Sequence, residues 1–401
     1  MTKNTRARLT RAGLVVLLTA ALVTPTTAAS AAGDRPGQVG LITFTGASMS
    51  SLTVDWPDVD GAERYEVFTH TNYNTLPSVT KPAAVVEGSK ATVTGLRKGT
   101  DYFVQVRAVN SADNGPRSQR VGHATIAGQT SAGKTKPYSI VTWNICSNAC
   151  ANIAGRKGII DARIRELAPG VVGLQEASKY KKAPAGYAFV VNGQNDILVR
   201  KGEFSKVAKK KKTPTTGSKK FARKYGTPGH GVTWAALKHR SGQHLIVFNV
   251  HMPTGTSASQ TKQRQYEATQ LTKYMSSTVS KLRKKYGAKI KSAGIIVLGD
   301  FNTSKGRAGD STRATMKAKG WYDAFDQART LTGQHFNSAN PGWSAAPVVG
   351  VTWGEHIDHV FVKPSKTIVY SWANAGKMSG GKFVTPLGSD HHPVLVTGIF
   401  R

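Results

Sequence analysis

The stretch IIVLGDFNTS, residues 295–304, passes from four aliphatic residues and a glycine straight into Asp300, Phe301 and Asn302. A run of this kind predicts a strand buried on both faces, where an unpaired charge is costly. A carboxylate and a carboxamide at its end have two explanations. Asp300 opens a turn and Asn302 caps it, or both are working groups. Acids are scarce in this chain: 401 residues carry 55 Lys and Arg against 22 Asp and Glu, a formal net charge of +33.

The same pattern, an apolar run ending in a polar residue, recurs from residue 138 onward. Asn144 closes VTWN, Glu176 follows VVGLQ, His251 ends IVFNVH, Asp358 stands before HVFV, and Asp390 and His391 precede HPVLV. Between these runs, Ile160, Ile164 and Leu167 fall on one helical face closed by Pro169, and Leu271, Met275, Val279 and Leu282 line a longer helix. Strands that alternate with helices in places and follow one another elsewhere predict a mixed α/β fold with paired sheets. In such folds the strand ends converge, so residues distant in sequence can line one cleft. Singly, each polar residue has a bland reading: Glu176 as a helix cap, His251 as a satisfied core histidine. Together they supply carboxylate and carboxamide oxygens that suit Mg²⁺ and two histidines that suit a phosphate.

The N-terminus reads differently. MTKNTRARLTR is a basic leader, AGLVVLLTAALV an apolar core, and Ala29-Ser30-Ala31 a small-residue cleavage site, so residues 1–31 are expected to be a secretory signal peptide. No second long apolar run or anchor signal follows, and the expected product is secreted and soluble. Outside the cytoplasm, Cys146 and Cys150 suit a small disulfide loop; two thiolates alone make a poor zinc site.

Residues 36–126 contain the short alternating runs LTVDW, RYEVFTH, ATVTGL and DYFVQVRAV, as in an antiparallel sandwich. With Trp56, Tyr65 and the Leu96/Tyr102 pair in LRKGTDYFVQV, this segment resembles a fibronectin type III domain, and the resemblance implies that these residues are core. Residues 127–137, AGQTSAGKTKP, read as a linker to a second domain over 138–401. Charge divides along this boundary. Residues 36–126 hold eight basic and eight acidic residues, whereas residues 127–401 hold 42 and 13, a net of +29. Such an imbalance points to a polyanionic partner. Residues 201–226 alone contain ten Lys or Arg, which reads as a flexible surface loop or as an arm following a phosphate backbone. In that arm Phe204, Phe221 and Tyr225 would be available to stack on bases.

The ordered blocks TWNI, LQE, NVHMP, GDFN, TWGEHIDHVF and SDHHP in residues 138–401 resemble the endonuclease/exonuclease/phosphatase superfamily, with its two-sheet deoxyribonuclease-I-like α/β sandwich. The resemblance implies a metal-dependent phosphoric ester hydrolase. Glu176 would be the principal Mg²⁺ carboxylate with Asn144 beside it, Asp390 a further metal ligand, and Mn²⁺ or Ca²⁺ alternative ions. It further implies Asp300 as the activator of water, Asn302 as its phosphate-side partner, and His391 as phosphate stabiliser and acid. Asp358 would orient His391, and His251 would be a second phosphate-binding group. His359 stands where the family often has an aromatic residue, and His392 competes with His391 for the same role. The basic charge favours nucleic acid as substrate, and hence a nuclease. A secreted sphingomyelinase-like phospholipase C, an inositol-phosphate phosphatase, or an inactive extracellular polymer-binding protein are the alternatives. Anionic lipid or a small phosphoester would be the ligand of the first two, and an extracellular polymer a ligand of the fibronectin-like segment. Oligomeric state is left open by the sequence.

Overall fold

The alternating runs of the N-terminal part become seven strands in a computed structural model that describes residues 34–208, 213–307 and 309–401. The expected signal peptide lies outside the described residues, among which no helix is long and apolar enough to cross a membrane. The strands are β1 (Thr43–Ala47), β2 (Leu52–Asp55), β3 (Arg64–His70), β4 (Ala84–Val86), β5 (Lys90–Val93), β6 (Asp101–Val109) and β7 (Val121–Ala124). They form two antiparallel sheets, β1-β2-β5 and β4-β3-β6-β7. Trp56, Tyr65, Val67 and Val104 fill the space between them, with Leu96 packed alongside. The Tyr102 hydroxyl accepts the Arg97 backbone N–H at 2.9 Å, the tyrosine-corner bond of this sandwich type.

The C-terminal part is built on two seven-stranded sheets packed face to face. Its elements are β8 (Tyr138–Asn144), α1 (Ile153–Leu167), β9 (Val171–Gln175), β10 (Tyr187–Val191), β11 (Asp196–Arg200), β12 (Phe204–Lys206), β13 (Thr216–Lys220), β14 (Gly231–His239) and β15 (His244–His251). There follow α2 (Ala258–Tyr286), α3 (Ala288–Lys291), β16 (Gly294–Asp300), α4 (Thr312–Ala318), β17 (Tyr322–Asp323), α5 (Ala324–Gln327) and β18 (Ala328–Thr332). The last elements are β19 (Asp358–Val362), β20 (Thr367–Asn374), the hairpin β21 (Met378–Ser379) and β22 (Lys382–Phe383), and β23 (Val394–Phe400). One sheet has the order β10-β11-β9-β8-β23-β20-β18, the other β12-β14-β15-β16-β19-β17 with β13 also paired to β14. Ile140, Val171, Val247 and Leu298 belong to the core between the sheets. The outer faces are covered by α1 through Ile160 and Ile164, and by α2 through Leu271, Met275, Val279 and Leu282. Because both faces of each sheet are covered, the central strands carry the unbroken apolar runs seen in the sequence.

Among its described residues, the basic segment 201–226 is not a free arm. β12 and β13 within it are hydrogen-bonded to β14, and Phe204 and Phe221 are buried in the two cores. Neither ring is available to stack on a base; Tyr225 alone of the three is exposed. Lys206, Lys219 and Lys220 take exposed positions of these strands, while Phe204 and Phe221 point inward.

The two parts meet in an extensive junction. Gly122 N–H donates to Thr352 O at 2.8 Å, and His335 Nε2 lies 2.7 Å from Ile42 O. A Cβ on Gly122 would come within 2.5 Å of the Trp353 ring, so the close approach requires glycine there. Lys305 Nζ bridges Asp101 of the sandwich at 2.5 Å and Asp326 of α5 at 3.1 Å. The linker is tied down as well, by Thr130 N–H to Thr367 O and by Arg401 to Thr135 Oγ1.

Candidate active site

Strand register assembles the site. β15 and β16 are parallel with His251 opposite Asp300, and β16 and β19 are antiparallel with Asp300 opposite Asp358. Three polar residues from adjacent strands therefore stand side by side on one face. In the other sheet Asn144 is opposite Gln175, so that Glu176 follows at the same strand end. Gly299 lets β15 approach closely: its φ is 151°, and a Cβ would sit 1.9 Å from Val250 O.

Asp300 divides its two oxygens between structure and site. Oδ1 accepts the Asn302 backbone N–H at 2.8 Å, an Asx-type turn that places Asn302 at φ 50°. Oδ2 accepts Asn144 Nδ2 at 3.0 Å and lies 3.6 Å from His251 Nε2 and 3.9 Å from His391 Nε2. Glu176 Oε1 is 3.2 Å from the same Asn144 nitrogen and 3.9 Å from His251 Nε2. The structure thus brings together Asn144, Glu176, His251, Asp300, Asp358 and His391. Asn302 is next to them, its Nδ2 held by Met252 O at 2.9 Å. Ser389 Oγ donates to Asp390, whose carboxylate lies with the Cys146 and Cys150 sulfurs.

Asn144 is held at both ends of its amide. Its Oδ1 accepts the Cys146 N–H at 2.9 Å, which orients the amide so that Nδ2 faces the two carboxylates. As arranged, it aligns Glu176 and Asp300 as a donor. Cys146 is bonded to Cys150 in a disulfide with Cα atoms 5.3 Å apart, so the bridge closes the loop that holds Asn144.

His391 and Asp358 form a buried pair, Nδ1 to Oδ2 at 2.8 Å. Burial alone would lower the imidazole pKa, but Asp358, with Asp300 and Asp390 behind it, raises it to about 10. Burial and Asp300 push the Asp358 carboxyl up while His391 opposes them, and the short bond keeps the proton on the imidazole. His392 points elsewhere: it stacks on Phe383 with centroids 3.7 Å apart, and burial lowers it to about 4. His359 turns away too, bonded to Asp323 at 2.7 Å and to Thr303 O at 2.8 Å.

The donor set fits a hard divalent cation. Glu176 Oε2 and Asp358 Oδ1 are buried oxygens with no hydrogen-bond partner, and Asp300, Asp358 and His391 offer ligand atoms within 4.8 Å of one another. Oxygen-rich, acidic and partly orphaned, such a set suits Mg²⁺, Mn²⁺ or Ca²⁺ better than a thiophilic metal. Glu176 and Asn302 both adopt left-handed backbone conformations, φ 51° and 50°, a strain that clusters at functional sites. Beside His251 opens a cavity of about 640 Å³, lined by Val190, Asn195, Lys219, Lys220 and His230 among others. The His230 ring packs edge-on against His251 at 5.2 Å.

Several supporting residues escape a reading by strand ends. Arg156 donates to Ile145 O, Cys146 O and Gly388 O, tying the Asn144 loop to the segment before His391. Its signal was present: Arg156 lies one turn before Ile160 on the buried face of α1. Ser338 Oγ accepts the Asp358 N–H, and Trp143 Nε1 donates to His391 O. Neither had a local signal.

Two family models match the two parts of the chain. The model of the Endonuclease/Exonuclease/phosphatase family matches residues 141–391, and that of the Fibronectin type III domain matches residues 37–123. Among solved structures, the chain is similar to an endonuclease/exonuclease/phosphatase family protein from Bacteroides thetaiotaomicron at 17% identity, covering 66% of this chain and 98% of that one, with a TM-score of 0.47. It is similar to D. rerio TDP2 complexed with single strand DNA product at 19% identity, 66% and 99% coverage, and a TM-score of 0.42. The human Nocturnin catalytic domain with bound sulfate anion gives 16% identity, 66% and 95% coverage, and a TM-score of 0.42. In sequence, 95 residues are 34% identical to the tail tube protein gp17.1* of Bacillus phage SPP1; the match takes in 22% of this chain and spans a third of the length of that curated relative. With its family match over well more than half of its length and an acidic, histidine-bearing site at the strand ends, the chain belongs to the Endonuclease/Exonuclease/phosphatase family of phosphoester hydrolases, with a fibronectin type III domain ahead of the catalytic part.

Proposed function

We propose that this protein is a secreted, Mg²⁺-dependent phosphodiesterase that cleaves nucleic acid. The observation that carries the reading is the convergence on Asp300 of Asn144, His251 and His391, with Glu176 alongside and its Oε2 buried and unpartnered. A phosphodiester is anionic, and hydroxide approaches it against charge repulsion. A divalent cation held by Glu176 would supply charge neutralisation at the phosphoryl oxygens. Asp300, held by Asn144, accepts the proton of the attacking water. His391 carries a proton at Nε2 because Asp358 holds Nδ1, and it stabilises the phosphate and protonates the leaving oxygen. His251 and Asn302 hold the remaining phosphoryl oxygens. The net charge of +29 over residues 127–401 favours a polymeric substrate with many phosphates.

The test is a panel of plasmid DNA, RNA, sphingomyelin and inositol phosphates, with and without chelator, for the wild type, His391→Ala and Asp300→Ala. Cleavage of nucleic acid that chelator abolishes and both variants lose by about 10²-fold or more supports the reading. Chelator-resistant turnover, or full activity in either variant, refutes it; turnover of sphingomyelin alone moves the substrate to lipid. Secretion is tested separately, by recovering from the culture medium a protein that starts near residue 32.

A further inference from the structure

The ends of the sheets opposite the candidate active site carry a feature that the proposed chemistry does not use. There, where β14, β19 and β23 end and β8, β15 and β16 begin, the linker and the strand ends enclose a cleft of about 1310 Å³. Eight of its eighteen lining residues are Lys or Arg, a share about three times that of residues 127–401, where 42 of 275 are basic. The sole acid in the lining is Glu203, already paired with Arg200 at 2.9 Å. A second cleft of about 710 Å³ shares Arg283, Ile295 and Lys363 with the first and adds Lys273 and Lys319, so the two form one continuous groove. Among the described residues, Lys134, Lys136, Arg240, Arg283 and Lys366 are in no ion pair, and all five are exposed. Charges this dense and uncompensated repel one another unless an anion is present. Arg401 also holds the linker against the groove wall through Thr135 Oγ1 and Ala132 O, so that Lys134 and Lys136 are presented from an anchored segment.

We infer that this groove is a second binding site, an exosite for the phosphates of a nucleic acid strand remote from the bond that is cut. The choice of nucleic acid over other polyanions rests on the proposed substrate of the catalytic end. Ile295 lines the groove and Asp300 stands in the site, five residues along one strand, which is about 17 Å at ~3.3 Å per residue. At about 3.4 Å of helix axis per phosphate on one strand, at least about five phosphates separate the two regions. An oligonucleotide of four residues reaches one of them; one of thirty residues has length to reach both.

Equilibrium binding of fluorescent 4-mer and 30-mer DNA to the full chain, in chelator and over a salt series, tests the exosite independently of catalysis. The variant is the triple charge reversal Lys136→Glu/Arg240→Glu/Arg283→Glu. Its control is Lys81→Glu/Lys90→Glu/Lys98→Glu on the fibronectin type III domain, with the same change in net charge. Thermal melts confirm that both remain folded. The groove variant is expected to bind the 30-mer more than about 10-fold more weakly and to lose about 3 from the log–log salt slope, with a smaller loss of slope for the 4-mer, which offers fewer phosphates. Its turnover of bis(p-nitrophenyl) phosphate in Mg²⁺ is expected to be unchanged. Unaltered 30-mer affinity, or an equal loss in the control, overturns the exosite. Loss of heparin binding with retained DNA binding overturns its assignment to nucleic acid. Failure of the wild type to cleave the small diester overturns the catalytic reading and leaves the binding result to stand by itself.

Discussion

The junction between the two domains contains a buried histidine whose titration is expected to limit stability in acid. His123 on β7 is fully buried between Phe44 and Phe325, with ring centroids 5.2 and 5.0 Å away, and neither ring nitrogen has a hydrogen-bond partner. Burial lowers its pKa to about 4; Asp326, Asp101 and Asp323 face it and oppose the shift, while Lys305 adds to it. The sign follows from linkage. A histidine depressed in the folded state stays neutral there while the unfolded chain takes up a proton below about 6.5, so stability is complete above that pH and falls as pH drops towards 4. For a shift from about 6.5 to about 4, the loss attributable to this one residue is about 2 kcal/mol at pH 5 and only tenths of a kcal/mol at pH 7.

The perturbation is His123→Leu, close in volume and unable to titrate. Urea unfolding, followed by tryptophan fluorescence, gives the stability of both proteins at pH 8, 7, 6 and 5. The other depressed histidines, His230, His239, His335, His356 and His392, are common to both proteins and cancel in the difference. The stability of the leucine variant relative to wild type is expected to rise by about 2 kcal/mol between pH 8 and pH 5. A difference that does not change with pH would mean that His123 titrates normally in the folded protein, and hence that the junction is open to water.

The same junction predicts an asymmetry between two partners of one lysine. Lys305→Met leaves the buried Asp326 carboxylate with Arg313 alone and is expected to cost about 3 kcal/mol, whereas Asp101→Asn, at a carboxylate 39% exposed, is expected to cost less than about 1. Equal shifts in thermal midpoint would refute the assignment. Asp358→Asn removes the charge that raises His391, so the alkaline limb of the pH–rate profile is expected to move down from near 10, with kcat falling more than KM rises. Breaking the disulfide as Cys146→Ser/Cys150→Ser loosens the loop whose N–H orients Asn144. Divalent-cation affinity, read by calorimetry, is expected to weaken by about 10-fold, and unchanged affinity would dispose of that role.

How far the sequence can be read here depends on the range of the interaction. Strands such as β16 were legible because burial on both faces leaves a run of aliphatics, a local record of a global condition. The site was legible because each of its residues ends such a run and the family's blocks stand in order. What stayed hidden was settled by contacts across long stretches of chain: Lys305 with Asp101 over 204 residues, and His335 with Ile42 over 293. Composition misled at residues 201–226, where the lysines suggested a free arm and concealed that Phe204 and Phe221 are strand residues facing two cores. The adjacent histidines show the same limit: Asp358 against His391 and Phe383 against His392 distinguish them in space, and their neighbours in sequence do not.

Asp300 began as a choice between a turn residue and a working group, and its two oxygens make the choice unnecessary. The bond from the Asn302 N–H to Oδ1 immobilises the carboxylate by the ordinary means of a turn. Fixed in this way, Oδ2 cannot rotate away from Asn144, His251 and His391 without breaking the turn. Gly299 extends the argument to the backbone, since any side chain there would strike Val250 O and displace the strand end that carries Asp300. An alanine at Gly299 therefore tests the coupling directly: it changes no polar group of the site but forces β16 away from β15 just before Asp300. The expected result is loss of hydrolysis together with a lowered thermal midpoint. A Gly299→Ala protein with wild-type activity would show that the Asp300 carboxylate reaches its partners without the support of the turn and strand that the structure gives it.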